Sequence, residues 1–82
     1  MRTVSNKELG ELLRSNEMVY LLDDTDEIAW GVLGDGKNRR RVVSKAKGRE
    51  PVEHNPKQQN SNSMIRAYMS KDVMTKEEFE NY

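Results

Sequence analysis

The sequence predicts a small single α+β domain: an N-terminal helix packed on a three-stranded antiparallel meander, then a flexible loop and one or two short C-terminal helices. Three observations predict it. Leucines recur at helical spacing directly after a capping serine, two short apolar runs are separated by turn residues, and the apolar pattern stops near residue 47 and resumes at 64. The 82 residues allow one domain. Residues 1–46 form its helix and meander core, 47–63 a polar loop, and 64–82 a helical segment completing the same domain.

The helix is expected over residues 6–15. Ser5 and Glu8 have capping-box spacing, in which each side chain satisfies the other's orphan backbone donor, and Val4 and Leu9 are placed as a hydrophobic staple. Leu9, Leu12 and Leu13 then share one helical face. Ser15-Asn16 supplies the stop, since asparagine tolerates the left-handed conformation that ends helices.

Met18 to Leu22 and Ile28 to Leu33 are apolar runs too short for helices and bounded by turn residues, which reads as strand, turn, strand. Asp35-Gly36 suits a two-residue type I′ hairpin turn. The third strand then runs from Arg39 to about Ala46. Counting back through such a turn pairs Val32 with Arg39, Trp30 with Arg41 and Ile28 with Val43. Three strands are about the minimum for a stable sheet, and the leucine face of the helix would cover one side of it.

From 47 to 63 the only apolar side chain is Val52, with Pro51, Pro56 and the polar tract 58–63 around it. A segment that buries so little does not recover its ordering entropy, so a flexible loop is expected. Beyond it, Ile65, Met69 and Val73 fall four apart, which predicts a helix. Thr75 and Glu78 form a second capping box that starts a last helix over 76–81. That helix is too short to persist alone, so Phe79 must dock on the core or on a partner.

Composition removes several function classes. There is no cysteine, hence no disulfide, no thiol nucleophile and no common zinc framework. No apolar run approaches the roughly 18 residues of a membrane span, and the N-terminus has no apolar signal region, so a cytoplasmic location without membrane contact is expected. The only histidine, His54, lies in the polar loop without an orienting partner nearby in sequence. Gly34-Asp35-Gly36-Lys37 lacks the spacing of a phosphate loop, and Asn38 stands where a hydroxyl would ligate magnesium. The acids Asp23, Asp24, Asp26 and Glu27 lack the alternation and glycine of a calcium loop. Neither an enzyme nor a cofactor or metal site is therefore expected.

Charge is the remaining signal. The net charge of zero hides a balance of −5 over residues 1–36, +6 over 37–57 and −1 over 58–82. Lys37, Arg39, Arg40, Arg41, Lys45, Lys47 and Arg49 place seven positive charges in thirteen residues without an acid. At separations inside a Debye length of about 8–10 Å they repel, so the acidic N-terminal third or an anionic partner must offset them. In the expected register Trp30 shares a face with Arg39 and Arg41, a platform able to stack a base and hold its phosphates. The simpler reading of Trp30 is a core residue with arginine stems packed on its edge.

Two functional readings follow. The first is a non-enzymatic nucleic-acid-binding accessory protein that contacts DNA or RNA phosphates through the basic strand and loop. The second is a protein-binding regulator, an inhibitor or adaptor of the kind phages and mobile elements encode. Its surface would be the acidic hairpin (Asp23, Asp24, Asp26, Glu27), the basic strand, or the C-terminus with Tyr68 and Phe79.

Overall fold

A computed structural model describes residues 1–57 and 61–82. Its elements are β1 (Arg2–Thr3), α1 (Asn6–Leu13), β2 (Val19–Asp23), β3 (Ile28–Gly34), β4 (Arg39–Ala46), β5 (Val52–His54), α2 (Asn62–Ser70), β6 (Asp72–Met74) and α3 (Lys76–Glu80). The class is α+β, as expected, but the sheet has six antiparallel strands in the order β1-β6-β2-β3-β4-β5. The expected meander is its centre.

Both faces of the sheet are covered. Alternation along β2, β3 and β4 sends Val19, Leu21, Trp30, Val32 and Val42 to one side, where they pack with Leu9 of α1 and Met64 and Ala67 of α2. The opposite side holds Leu22, Ala29 and Val43, packed with Met74 and with Phe79 of α3. Double coverage explains why the runs are continuously apolar instead of alternating, since each strand residue meets a core. Phe79, 5% exposed, therefore docks within its own domain, and the partner interface assigned to it is withdrawn.

Local signals at the helix ends are realised unequally. The Ser5 hydroxyl accepts from the Glu8 amide, but the Glu8 carboxylate turns to Arg2 at 2.5 Å. Only half of that capping box forms. At Thr75 and Glu78 both halves are present. Helix α1 ends at Leu13, earlier than expected, and Asn16 takes the left-handed conformation at φ 65°.

Three strands had no visible signal in the sequence. Helix α2 stops at Ser70 because Lys71 takes a left-handed conformation, φ 55°, and residues 72–74 then pair with β1 and β2. Val73, four residues after Met69, packs on the core from a strand and not from the expected helix. Strand β5 lies inside the stretch expected as a loop; residues 58–60 of that stretch lie outside the described residues. Its Val52 is 55% exposed, so backbone pairing with β4 and polar side chains define it instead of burial.

The hairpin register is corrected by three residues. Val32 faces Val42 and Trp30 faces Ser44, while Gly34 faces Arg39. The connection is the four residues 35–38, because the Asp35 carboxylate accepts from the Lys37 and Asn38 amides, each at 2.9 Å. An aspartate that caps its own turn this way competes with the type I′ geometry. Pairing then jumps from Leu33↔Arg41 to Gly34↔Arg39, leaving Arg40 as a bulge.

Candidate functional site

The bulge decides where each arginine points. Arg39 lies on the α1/α2 side, half-buried, with Nη1 3.5 Å from the Met64 sulfur. It also hydrogen-bonds Tyr68, whose phenol burial pushes up in pKa and the guanidinium partly pulls back. Arg41 lies on the α3 side, where its Nε donates to Glu53 at 2.7 Å and its Nη2 forms an ion pair with the same carboxylate. The expected platform of Trp30 flanked by Arg39 and Arg41 therefore does not form. Trp30 is 5% exposed and its indole donates to the Ser63 hydroxyl at 2.9 Å, so it is a core residue and not a stacking surface.

The remaining basic side chains part company too. Lys45, expected on a binding surface, is only 6% exposed. Lys47 pairs with Glu27 at 3.3 Å, and its amide donates to the Glu27 carbonyl. Arg49 is exposed in the β4–β5 connection. That leaves Lys37, Arg39 and Arg40 together at the hairpin end.

Arg14 joins them, a residue to which no motif in the sequence pointed. Gly36 has φ 92° and no room for a side chain, because the stem of Arg14 occupies the space beside it. The Arg14 guanidinium lies back against Gly10 of α1. A glycine is thus required at 36 both by the backbone and by the approach of α1. Arg14, Lys37 and Arg40 are exposed and make no ion pair among the described residues. Asp35 is the acid at this end, and the Asn38 and Lys37 amides, with a smaller contribution from Arg40, hold its carboxyl below the usual range. Next to the cluster a cleft of about 220 Å³ opens, lined by Leu13, Gly34, Lys37, Asn38, Arg39 and Tyr68.

The acidic hairpin is arranged differently. Asp23, 1% exposed, accepts from Arg66 Nε at 3.1 Å and Nη2 at 3.2 Å, and Asp26 accepts from the same Nη2 at 2.6 Å. Burial alone would raise the Asp23 pKa. Hydrogen bonds from Arg66 and Ser63, the charge of Arg66 and the Thr25 amide outweigh it and hold the carboxyl below the usual range. With Glu27 paired to Lys47, only Asp24 of the four acids has no ion-pair partner among the described residues. Asp23 is therefore withdrawn as an interface residue.

His54 is also placed. Its Nε2 is 2.6 Å from the Ser44 hydroxyl and its ring centroid 5.2 Å from that of Trp30. The serine–histidine contact joins β4 to β5, and no carboxylate orients the ring from its other nitrogen among the described residues. Among the described residues no group of three or more potential metal ligands occurs, and no helix is long and apolar enough to cross a membrane. Neither the protein-family profiles, the curated proteins nor the solved structures contain a match to this chain.

Proposed function

We propose that the chain is a small, non-enzymatic nucleic-acid-binding accessory protein that grips phosphates with the end of its β3–β4 hairpin. The observation that carries this reading is the contrast among its cations. Arg14, Lys37 and Arg40 stand exposed around the bulge with no ion pair among the described residues, whereas Arg41 and Lys47 are neutralised by Glu53 and Glu27. Exposed cations gathered at the hairpin end match a polyanion, and the arginine fork matches phosphate oxygens two at a time. Contacts of this kind position a strand without reading its bases, so little sequence preference is expected. DNA and RNA are both accommodated.

The protein-binding reading retains one feature in its favour. Ile65 and Met69, 48% and 72% exposed, lie one turn apart on the outer side of α2.

Fluorescence anisotropy of labelled DNA and RNA oligomers across a salt series tests the proposal. The Arg14/Lys37/Arg40→Ala variant should bind more weakly, with a log–log salt slope reduced by about 0.7–0.9 for each phosphate that is no longer neutralised. The Arg41/Lys47→Ala variant should follow the parent protein. Absence of binding at low salt, or equal weakening in the two variants, refutes it.

A further inference from the structure

Strand β4 carries a second charge anomaly, at its opposite end and on the opposite face from Arg39. Lys45 faces Ala29 across the ladder on the α3 side of the sheet and is 6% exposed. Its ammonium makes no hydrogen bond or ion pair among the described residues. Yet no buried side-chain nitrogen or oxygen among the described residues lacks a partner. The two facts together mean that the stem of Lys45 is covered while its ammonium keeps an opening.

Lys45 also lines a cleft of about 560 Å³ between the β4–β5 connection and the end of α3, together with Arg49, Glu50, Pro51, Glu80 and Tyr82 among others. Gly48 holds one wall in place, donating its amide to the Tyr82 carbonyl at 2.8 Å. Arg49 is exposed on the rim and, like Lys45, has no ion-pair partner among the described residues. Glu80 is turned toward Lys76, 3.9 Å away.

Withdrawing an ammonium from water without a counter-charge costs free energy, and a methionine would cover the same apolar surface without that cost. A lysine that only covers apolar surface extends its head into bulk water. Here the lysine, 6% exposed, lines a cleft that the exposed Arg49 also lines. Such a pair supplies a partly desolvated charge, which attracts an anion more strongly than a surface charge does, and a planar donor fork that matches two oxygens. We propose that this cleft binds a small oxyanion, a carboxylate or phosphate group, with Lys45 at its floor and Arg49 at its rim. Lys45 and Arg49 lie at the other end of β4 from the β3–β4 turn, so the site is separate from the hairpin end and does not depend on the nucleic-acid reading.

The test is NMR titration of the ¹⁵N-labelled full chain with sodium acetate and, separately, sodium phosphate, at constant ionic strength maintained with sodium chloride. The amides of Gly48, Arg49, Glu50 and Asn81 should shift along one saturable curve, with a midpoint of about 1–10 mM. Acetate alone saturating the site identifies a carboxylate ligand, phosphate alone a phosphate ligand, and both together a general oxyanion site. Lys45→Met, which keeps the stem, should weaken the response about tenfold or more, and Arg49→Gln should weaken it less. Unchanged dispersion of the other amides verifies that each variant is folded; if Lys45→Met does not fold, Arg49→Gln decides. The proposal is overturned if neither salt gives a saturable shift by about 50 mM, or if the shifts persist undiminished in the folded variants.

Discussion

The β2–β3 and β3–β4 hairpins share a strand and have connections of equal length, residues 24–27 and 35–38, yet their charges meet opposite fates. At the acidic hairpin Arg66 reaches across from α2 to Asp23 and Asp26, and Lys47 comes from the end of β4 to Glu27. The buried Asp23 is consumed in holding the fold together, while Asp26 and Glu27 are paired at the surface. At the basic hairpin Asp35 spends its carboxylate on its own turn, and Arg14 adds a further positive charge. Two blocks that look like mirror images in the sequence are therefore one structural clasp and one open surface. Charge density alone does not separate the two blocks; internal pairing does.

Breaking the open surface should have the largest effect. With Arg14, Lys37 and Arg40 replaced by alanine, oligonucleotide affinity should fall by about tenfold or more at physiological salt while the melting midpoint stays close to the parent's. Parallel anisotropy and thermal unfolding measurements separate the two outcomes.

Breaking the clasp should do the reverse. Asp23→Asn removes a buried charged acceptor and should cost about 1–3 kcal/mol of stability in urea unfolding, with binding retained. It should also change the acid limb. Because the folded-state pKa of Asp23 lies below its ordinary value of 3.8, its contribution is complete above that value and is lost as pH falls through the folded pKa. The variant should therefore lose less stability than the parent between about pH 5 and pH 2, as read from unfolding midpoints.

A subtler change sharpens the comparison without altering charge. Gly36→Ala forces a side chain into a positive-φ position and against the Arg14 stem, at a cost of about 1 kcal/mol or more. Displacing Arg14 should then weaken binding by less than its removal does, in the same anisotropy assay. The smallest effect is expected from the Arg41/Lys47→Ala variant. Exposed pairs contribute little to stability, and these cations are already neutralised, so both midpoint and affinity should remain near the parent's.

What the sequence revealed was local. The caps at Ser5 and Thr75, the leucine spacing of α1 and the two apolar runs act over a few residues, and each marks a real element. Strands β1, β5 and β6 are two or three residues long and held by pairing with distant segments, so they leave no periodic pattern. Register was hidden because Asp-Gly suits both a type I′ turn and the side-chain-capped turn that forms. That ambiguity removed the Trp30 platform and moved Arg41 to the far face. Arg66 was invisible as a partner because it lies 43 residues from Asp23, and Arg14 because only the approach of α1 to Gly36 brings it to the hairpin. The burial of Lys45 follows from alternation with Val43, but only once both faces of the sheet are known to be covered.

The most direct test of the contrast between the hairpins is an NMR titration of the ¹⁵N-labelled chain with an unlabelled single-stranded oligonucleotide at low salt. Amides of residues 35–40, Arg14 and Tyr68 should shift together and saturably, while those of residues 23–27 stay in place. Shifts centred on residues 23–27, or on the exposed Ile65 and Met69 side of α2, would contradict it.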